Sequence, residues 1–232
     1  MITKLKKIYY EKFTKKSYSI SNVDLILERI FLNNNKGVYV DIGCNHPIKY
    51  NNTYILNKKG WTGINIDLDE ESIKEFNKFR PNDENICTVV SDRSDEFKEI
   101  YIYHTRSTIN TLSKDLVNSR NKKPKQILKK KTKSLNRIIE ESRFKDQKIN
   151  LISIDVENYE YEVLKNFNFK KHNVDVIVSE LHDLKQKKLE ITNQSLKFVT
   201  DNELYKLMTT NDYKLVNWVH SDLVFVKNNI KL

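Results

Sequence analysis

Residues 38–53 read VYVDIGCNHPIKYNNT and contain the pattern that decides the fold. The run 38–42 has the β-branched and aromatic composition of a buried strand. The strand leads through Asp41 and Gly43 into a polar turn, and residues 50–59 are predicted to form the helix that follows. In an open α/β sheet, ligands bind beyond the carboxyl ends of the strands. The sequence therefore predicts a ligand site at the exit turn of this first strand.

The glycines of the chain support this position. There are only four, and all lie in this stretch or next to it: Gly37, Gly43, Gly60 and Gly63. Glycine lets the backbone take a positive φ or approach a ligand closely, because it has no Cβ. The dinucleotide fingerprint G-x-G-x-x-G is absent, since no second glycine follows in the turn. A cofactor with a ribose and no pyrophosphate, such as S-adenosylmethionine, fits this turn better than a dinucleotide does.

The second and third predicted strands supply further polar groups. Residues 64–66 form a strand that ends in Asp67, 24 residues past the turn glycine. A carboxylate at about this spacing is placed to accept hydrogen bonds from ribose hydroxyls. Alternatively, Asp67 only favours the amino end of the next helix. The third strand, residues 85–90, ends in Ser91 and Asp92, which we expect beside the base of a bound nucleoside.

Two later strands also end in acidic residues. Residues 149–154 and 174–178 are continuously apolar, as in strands buried on both faces. They lead to Asp155 and Glu180. Any one of these acids could be a plain polar strand end. A shared site is the better explanation for four acidic tips together, at Asp41, Asp67, Asp155 and Glu180.

The rest of the chain frames this sheet. Residues 1–36 are predicted to be an N-terminal helical segment with an amphipathic helix at 21–32. Residues 97–104 alternate as a further strand, and residues 213–227 read as two strands joined by a tight turn. Residues 105–133 are polar and glycine-free, and we expect them to be a long irregular segment that faces the substrate.

Composition limits the class of protein. A length of 232 residues with 38% hydrophobic residues suits a single domain, so residues 1–232 are assigned to one. Two widely spaced cysteines, Cys44 and Cys87, indicate a reducing compartment rather than a disulfide scaffold. The first residues carry positive charge without the apolar core of a signal peptide, and no long apolar run follows. We therefore expect a soluble, cytoplasmic protein.

The positive charge is uneven along the chain. The net charge is +10, and residues 120–133 contain eight basic residues and no acidic one. This block is a candidate contact surface for an anionic substrate, nucleic acid or an anionic membrane. The alternative is a lysine-rich composition that leaves solvated side chains over the whole surface.

Seven blocks of sequence, in this order, resemble the FkbM family of S-adenosylmethionine-dependent methyltransferases. They read VYVDIGCNHPIKYNNTYIL, GWTGINID, RPNDENICTVVSD, STINTLSKD, KTKSLNRII, LISIDVENYEYEVLK and VDVIVSELH, and they lie between residues 37 and 183. The resemblance implies a Rossmann-like class I fold, which is an α/β fold with a seven-stranded, mostly parallel sheet, helices on both faces and a terminal antiparallel hairpin. It also implies S-adenosylmethionine as cofactor and methyl transfer to oxygen.

The resemblance and the strand tips together assign the candidate site. Cofactor-binding residues are predicted to be Asp41, Gly43, Asn45, Thr53, Asp67, Ser91 and Asp92. Substrate-binding residues are predicted to be His46, Asn110 and Glu157. Asp155 is the predicted catalytic base, with His182 as its competitor and Glu180 as an orienting partner. No metal ligand is assigned, although Asp155, Glu157, Glu180 and His182 could together hold Mg²⁺ or Mn²⁺.

The predicted function is O-methylation of a sugar hydroxyl in the biosynthesis of a surface glycan such as capsule or lipopolysaccharide. Its substrate would be a glycan or a nucleotide sugar. One alternative is an RNA 2′-O-methyltransferase, suggested by the basic block 120–133. Another is a non-catalytic binding protein that has retained the fold.

Overall fold

The computed structural model describes residues 14–181 and 195–230. The strands are β1 (Val38–Ile42), β2 (Thr62–Asp67), β3 (Glu84–Cys87), β4 (Val89–Ser91), β5 (Phe97–Ile102), β6 (Gln126–Ser134), β7 (Leu151–Ile154), β8 (Val176–Glu180), β9 (Tyr213–Val219) and β10 (Asp222–Lys227). The helices are α1 (Val23–Ile30), α2 (Tyr54–Asn57), α3 (Glu70–Phe79), α4 (Lys114–Ser119), α5 (Leu135–Glu141), α6 (Glu160–Leu164), α7 (Phe169–His172), α8 (Leu196–Thr200) and α9 (Glu203–Thr210). Within these residues, no helix is both long enough and apolar enough to span a membrane.

Seven strands form the main sheet in the order β3-β2-β1-β7-β8-β10-β9. The five strands from β3 to β8 pair in parallel, whereas β10 pairs antiparallel with both β8 and β9. This is the Rossmann-like class I methyltransferase sheet with its terminal hairpin, so the predicted fold class is confirmed. The parallel strands bring their carboxyl ends to one edge.

Helices cover both faces of this sheet. On one face, Val40 and Ile152 pack with α5, α6 and α9. On the other face, Tyr39 and Leu151 pack with α1 and with Trp61. Side chains alternate between the two faces along each strand. Every residue of β1 is buried, as expected for a central strand covered on both sides.

A small second sheet, in the order β4-β6-β5, corrects two sequence predictions. Residues 85–90 were expected to form one strand, but the chain leaves the main sheet at Thr88, between β3 and β4. Residues 105–133 were expected to be irregular, but they contain α4 and most of β6, which pairs antiparallel with β5. The lysines of β6 hide its alternation, and its pairing partner lies far away in sequence, so the local pattern did not reveal the strand.

Two other expected elements are shorter than predicted. The helix expected at 50–59 is reduced to α2, because Tyr50 has a φ of 55° and so cannot lie in a right-handed helix. In the predicted N-terminal segment 1–36, the described helix is α1, and residues 1–13 lie outside the described chain. The terminal hairpin, β9 with β10, is confirmed.

A buried ion pair fixes the turn after β1 to the strands beside it. Arg80 Nε donates to Asp83 Oδ2 at 2.8 Å, and both side chains are fully buried. The guanidinium also donates to Asn51 Oδ1 at 3.1 Å and to Thr53 Oγ1 at 3.0 Å. Tyr39 donates its hydroxyl to Asp83 Oδ2 at 2.6 Å. One cation therefore ties β1, the following turn and the end of α3 together.

Replacing this cation should destabilise the protein strongly. Arg80→Met leaves the carboxylate of Asp83 buried without its partner, so we expect the free energy of unfolding to fall by about 3–5 kcal/mol. The matched control is Arg137→Met, because Arg137 pairs with Asp95 and Glu141 at the exposed surface. We expect a much smaller loss there, because water and salt screen an exposed ion pair. Urea denaturation measures both, and equal losses would contradict the assigned role of Arg80.

Candidate functional site

A cavity of about 260 Å³ opens at the carboxyl edge of the main sheet. Its walls come from the ends of β1, β2, β7 and β8, from β4, from the loop 106–112 and from the turn between β9 and β10. Among the predicted site residues, the cavity is lined by Gly43, Asn45, Asp67, Asn110, Asp155, Glu157 and Glu180. Three of the four acidic strand tips, Asp67, Asp155 and Glu180, therefore reach one cavity at the predicted edge.

Asp67 presents a carboxylate with spare acceptor capacity to the cavity. Its Oδ2 accepts from the backbone N–H of Asn45 at 2.8 Å, and its Oδ1 accepts from that of Asp69 at 2.9 Å. Each carboxylate oxygen can accept a second hydrogen bond. Burial raises the pKa of Asp67 to about 6, although the two backbone hydrogen bonds act in the opposite direction.

Gly43 allows the end of β1 to contact the end of β7 directly. It has a φ of 77°, and a Cβ at this position would lie 1.8 Å from the carbonyl oxygen of Asp155. Its N–H donates to Ile66 O at 2.9 Å, while the N–H of Asp155 donates to Ile42 O at 3.0 Å. The turn is thus anchored between the second strand and the strand that carries Asp155.

Three acidic side chains, Asp155, Glu157 and Glu180, form a group that we call the acidic trio. Their carboxylate oxygens lie within 4.8 Å of one another, a spacing at which they could hold a metal ion or another cation. Desolvation and the carboxylates of Glu180 and Glu157 raise the pKa of Asp155 well above its usual value. Desolvation and Glu157 raise the pKa of Glu180 to about 8. Asp155 and Glu180 are also hydrogen-bonded to each other.

The acidic trio is held from two sides. Arg120 Nη2 donates to Glu157 Oε2 at 2.6 Å. From the other side, Ser221 Oγ donates to Glu180 Oε1 at 2.9 Å. His220, in the same turn, lines the cavity, and the sequence reasoning missed it. Its position follows from the pairing of β10 with β8, which brings the hairpin turn to the carboxyl edge. His182, the predicted competing base, lies outside the described residues.

Asp41 and Thr53 do not line the cavity, which corrects their predicted contact with a cofactor. Asp41 Oδ2 accepts from Thr53 Oγ1 at 2.7 Å and from Asn51 Nδ2 at 2.9 Å. Asp41 lies one residue before the end of β1, so its side chain points to the same sheet face as Tyr39. Burial raises the pKa of Asp41, and Arg80 opposes this shift. Asp41 and Thr53 therefore stabilise the turn through buried hydrogen bonds.

Ser91 and Asp92 also lie away from the cavity, contrary to the prediction. Ser91 Oγ is 3.1 Å from the hydroxyl of Tyr159, and Asp92 Oδ2 is 3.3 Å from Lys165 Nζ. In this part of the chain, the cavity wall is formed instead by residues 88–90. The chain crosses from the main sheet to the small sheet at this point, so the residues beyond it point elsewhere.

The predicted substrate residues outside the acidic trio have structural contacts. His46 does not line the cavity, and its Nδ1 accepts from the backbone N–H groups of Ile48 and Lys49 at 3.1 and 3.0 Å. Asn110 lines the cavity, but its Oδ1 accepts from the N–H of Tyr103 at 2.8 Å and its amide donates to His104 O at 3.0 Å. The amide of Asn110 therefore shapes the loop that closes the cavity.

That loop, residues 106–112, is attached to α3 and its N-cap by an arginine. Arg106 makes a bidentate pair with Glu75, at 2.8 and 2.7 Å. Its backbone N–H donates to Asp69 Oδ2 at 2.6 Å. Arg106, Ser107 and Thr108 all line the cavity. The sequence reasoning placed a substrate-facing segment here, but no local pattern singled out Arg106.

A second cavity of about 370 Å³ lies beside the first, and Leu112 lines both. Its walls come from residues 112–115, from residues 158–162 after β7, from Leu181 and from the start of α9. Four carboxylates and one ammonium group line it: Asp115, Glu160, Glu162, Glu203 and Lys114. Leu112 is thus shared by the two linings, and acidic residues predominate among the charged residues of the second cavity.

Comparison with known proteins gives a family match. The family model described as the methyltransferase FkbM domain matches residues 41–215. A solved structure titled "Crystal structure of monomeric WbdD" aligns over 90% of this chain, with a TM-score of 0.45 and 14% sequence identity. The chain spans 41% of the length of that structure. A search of curated proteins gave no match.

The close contact at Gly43 gives a test of the turn. Gly43→Ala adds a Cβ that collides with the backbone of Asp155, so we expect the free energy of unfolding to fall by about 3 kcal/mol or more. Gly60→Ala is the matched control, because Gly60 has a φ of 91° but nothing within 4 Å of the added Cβ. We expect about 1 kcal/mol there, from the positive φ alone. If chemical denaturation gave the same loss for both, the contact at Gly43 would not be limiting.

Proposed function

We propose, from the premise that this chain belongs to the FkbM methyltransferase family, that it is an S-adenosylmethionine-dependent O-methyltransferase acting on a sugar hydroxyl in surface glycan biosynthesis. The observation that carries the proposal is the first cavity at the carboxyl edge, which is lined by both Asp67 and the acidic trio, with the second cavity on the other side of Leu112. One cavity suits an adenosyl cofactor, and the other suits an uncharged acceptor.

The first cavity fits S-adenosylmethionine by its chemistry. Asp67 can accept hydrogen bonds from the two ribose hydroxyls, because each of its oxygens is engaged by one backbone N–H only. Apolar walls from Ile66, Val89 and Val90 suit a base. At the other end of the cavity, the acidic trio offers negative charge to a sulfonium and an amino group.

When bound, S-adenosylmethionine supplies a methyl group on a positively charged sulfur. The protein has to align the acceptor oxygen with that methyl group and to exclude water. Asp155 faces the cavity and can take the proton of the acceptor hydroxyl as a general base. A cation beside the acidic trio lowers the pKa of these carboxyl groups, so it favours the ionised form that a base requires. Glu180 positions Asp155 through their hydrogen bond.

The second cavity supports a sugar acceptor over RNA. Its four carboxylates create a negative potential, which repels a phosphate. Sugar hydroxyls, in contrast, are good donors to carboxylate oxygens. An RNA 2′-hydroxyl would have to enter this region with phosphates on both sides. An RNA enzyme would also lose orders of magnitude in affinity as salt is raised, which a binding assay detects.

The first functional test is the loss of the base. Asp155→Asn retains the shape and the hydrogen bond to Glu180 but cannot accept the proton, so we expect kcat to fall by about 10²–10⁴-fold. The measurement is S-adenosylhomocysteine formation with a panel of sugars, nucleotide sugars, lipid-linked glycans and RNA. The matched control is Asp92→Asn, which removes a carboxylate away from the cavity and should leave kcat near the wild-type value.

Methylation of RNA alone would overturn the sugar assignment. A role in cells that survives Asp155→Asn, with no acceptor methylated, would favour a non-catalytic protein.

The second functional test uses the pKa of Asp67. Because that pKa is raised to about 6, the carboxyl group gains acceptor capacity as the pH rises through that value. We expect the affinity for S-adenosylhomocysteine to increase from about pH 5 to about pH 7.5 and then to level off. Asp67→Asn should weaken binding by about tenfold or more at the higher pH and flatten this dependence. Calorimetric titration measures both. An unchanged pH dependence in the variant would remove Asp67 from the cofactor site.

A further inference from the structure

One face of the small sheet is both apolar and basic. In the β5–β6 pair, Phe97 lies opposite Lys131 and Tyr101 lies opposite Ile127. Residues two apart in a strand project from the same side, so Phe97 and Ile127 share a face. Phe97 is 67% exposed and Ile127 is 54% exposed. Two large apolar side chains therefore extend into solvent from one side of this sheet.

Lysines outnumber the one acidic residue of this face, Glu99, which lies opposite Lys129 between the two apolar side chains. Four exposed lysines lie on the face or in the loop before β6: Lys122, Lys123, Lys125 and Lys129. Among the described residues, no carboxylate lies within 4.0 Å of any of their ammonium groups, whereas Lys131 pairs with Asp95 at 3.3 Å. Lys125 and Lys122 lower the pKa of the neighbouring His104, which indicates that the electrostatic potential here is positive. Lysines without acidic partners next to apolar side chains are typical of a surface that meets an anionic boundary.

We propose that this docking face, formed by Phe97, Ile127, Lys122, Lys123, Lys125 and Lys129, binds the surface of an anionic lipid bilayer. Basic side chains are attracted to the negative potential of an anionic leaflet. The aromatic ring and the aliphatic side chain enter the interface between headgroups and acyl chains. A soluble polyanion would use the lysines, but it would gain nothing from an exposed isoleucine. The pairing of charge with apolar surface therefore favours a membrane over a nucleic acid.

The docking face is continuous with the wall of the first cavity. Strand β5 leads directly into the loop 106–112, and Tyr101 makes a β-bridge to Thr111. Thr111 Oγ1 donates to the carbonyl oxygen of Glu157 at 2.7 Å, which links the same loop to the acidic trio. A bilayer on the docking face would thus lie next to the cavity wall. This arrangement suits an acceptor sugar on a lipid carrier, a point that rests on the proposed function, whereas the docking itself does not.

The experiment is vesicle sedimentation of the full chain without cofactor or acceptor. The vesicles contain phosphatidylcholine alone or phosphatidylcholine with about 30 mol % phosphatidylglycerol. We expect binding to the anionic vesicles only, with a loss of about tenfold or more in the partition coefficient for Lys123→Ser/Lys125→Ser/Lys129→Ser. Phe97→Ser/Ile127→Ser should weaken binding by about tenfold as well. The matched controls are Phe79→Ser, which removes an exposed phenylalanine from α3, and Lys170→Ser, which removes an exposed lysine from α7.

Each outcome decides the proposal. Absence of binding to anionic vesicles, or a loss equal to that of the controls, would overturn it. Lysine variants that lose binding while the Phe97→Ser/Ile127→Ser protein retains it would identify a site for soluble polyanions, which RNA titration would then confirm. Because no methyl donor is present, failure here would leave the methyltransferase assignment intact. Equally, loss of activity in Asp155→Asn would leave vesicle binding unchanged.

Discussion

The site depends on a close backbone contact between the exits of β1 and β7. Gly43 sits against the carbonyl of Asp155 with no room for a Cβ, and its N–H is bonded to the end of β2. Three strand ends are therefore fixed relative to one another by main-chain atoms. Asp67 and Asp155 derive their positions from this contact, since each lies at the end of one of those strands. This contact therefore places Asp67 at one side of the first cavity and the acidic trio at the other.

Beneath this contact, the buried network around Arg80 supports the turn. Its guanidinium reaches Asp83, Asn51 and Thr53, and the last two hold Asp41. Several polar groups are thus satisfied inside the protein by one another, as burial requires. Asp41, which the sequence analysis assigned to cofactor binding, belongs to this buried network. The side of the turn that faces the first cavity is formed instead by the backbone and by the neighbouring strand ends.

Charge is divided between two regions of the molecule. Acidic residues line the second cavity and form the acidic trio of the first, whereas the four exposed lysines in and before β6 have no carboxylate partner among the described residues. The carboxylates of the second cavity repel anions, whereas the lysines attract them. A net charge of +10 therefore does not exclude an acidic cavity. The basic block, read alone, had favoured nucleic acid equally well.

The sequence by itself determined the fold class, the positions of most main-sheet strands along the chain, and the edge at which the first cavity lies. Apolar strands with acidic ends, and four glycines gathered around one turn, are local signals, and parallel strands bring such ends together. Only the tertiary structure decided which polar groups face the cavity. Strand alternation turned Asp41 inward, the crossover at Thr88 moved Ser91 and Asp92 away, and the β10–β8 pairing brought in His220. The contacts of Arg80 with Asn51 and Thr53, and the strand hidden in residues 126–134, depend on pairings between distant segments, which local sequence patterns do not encode.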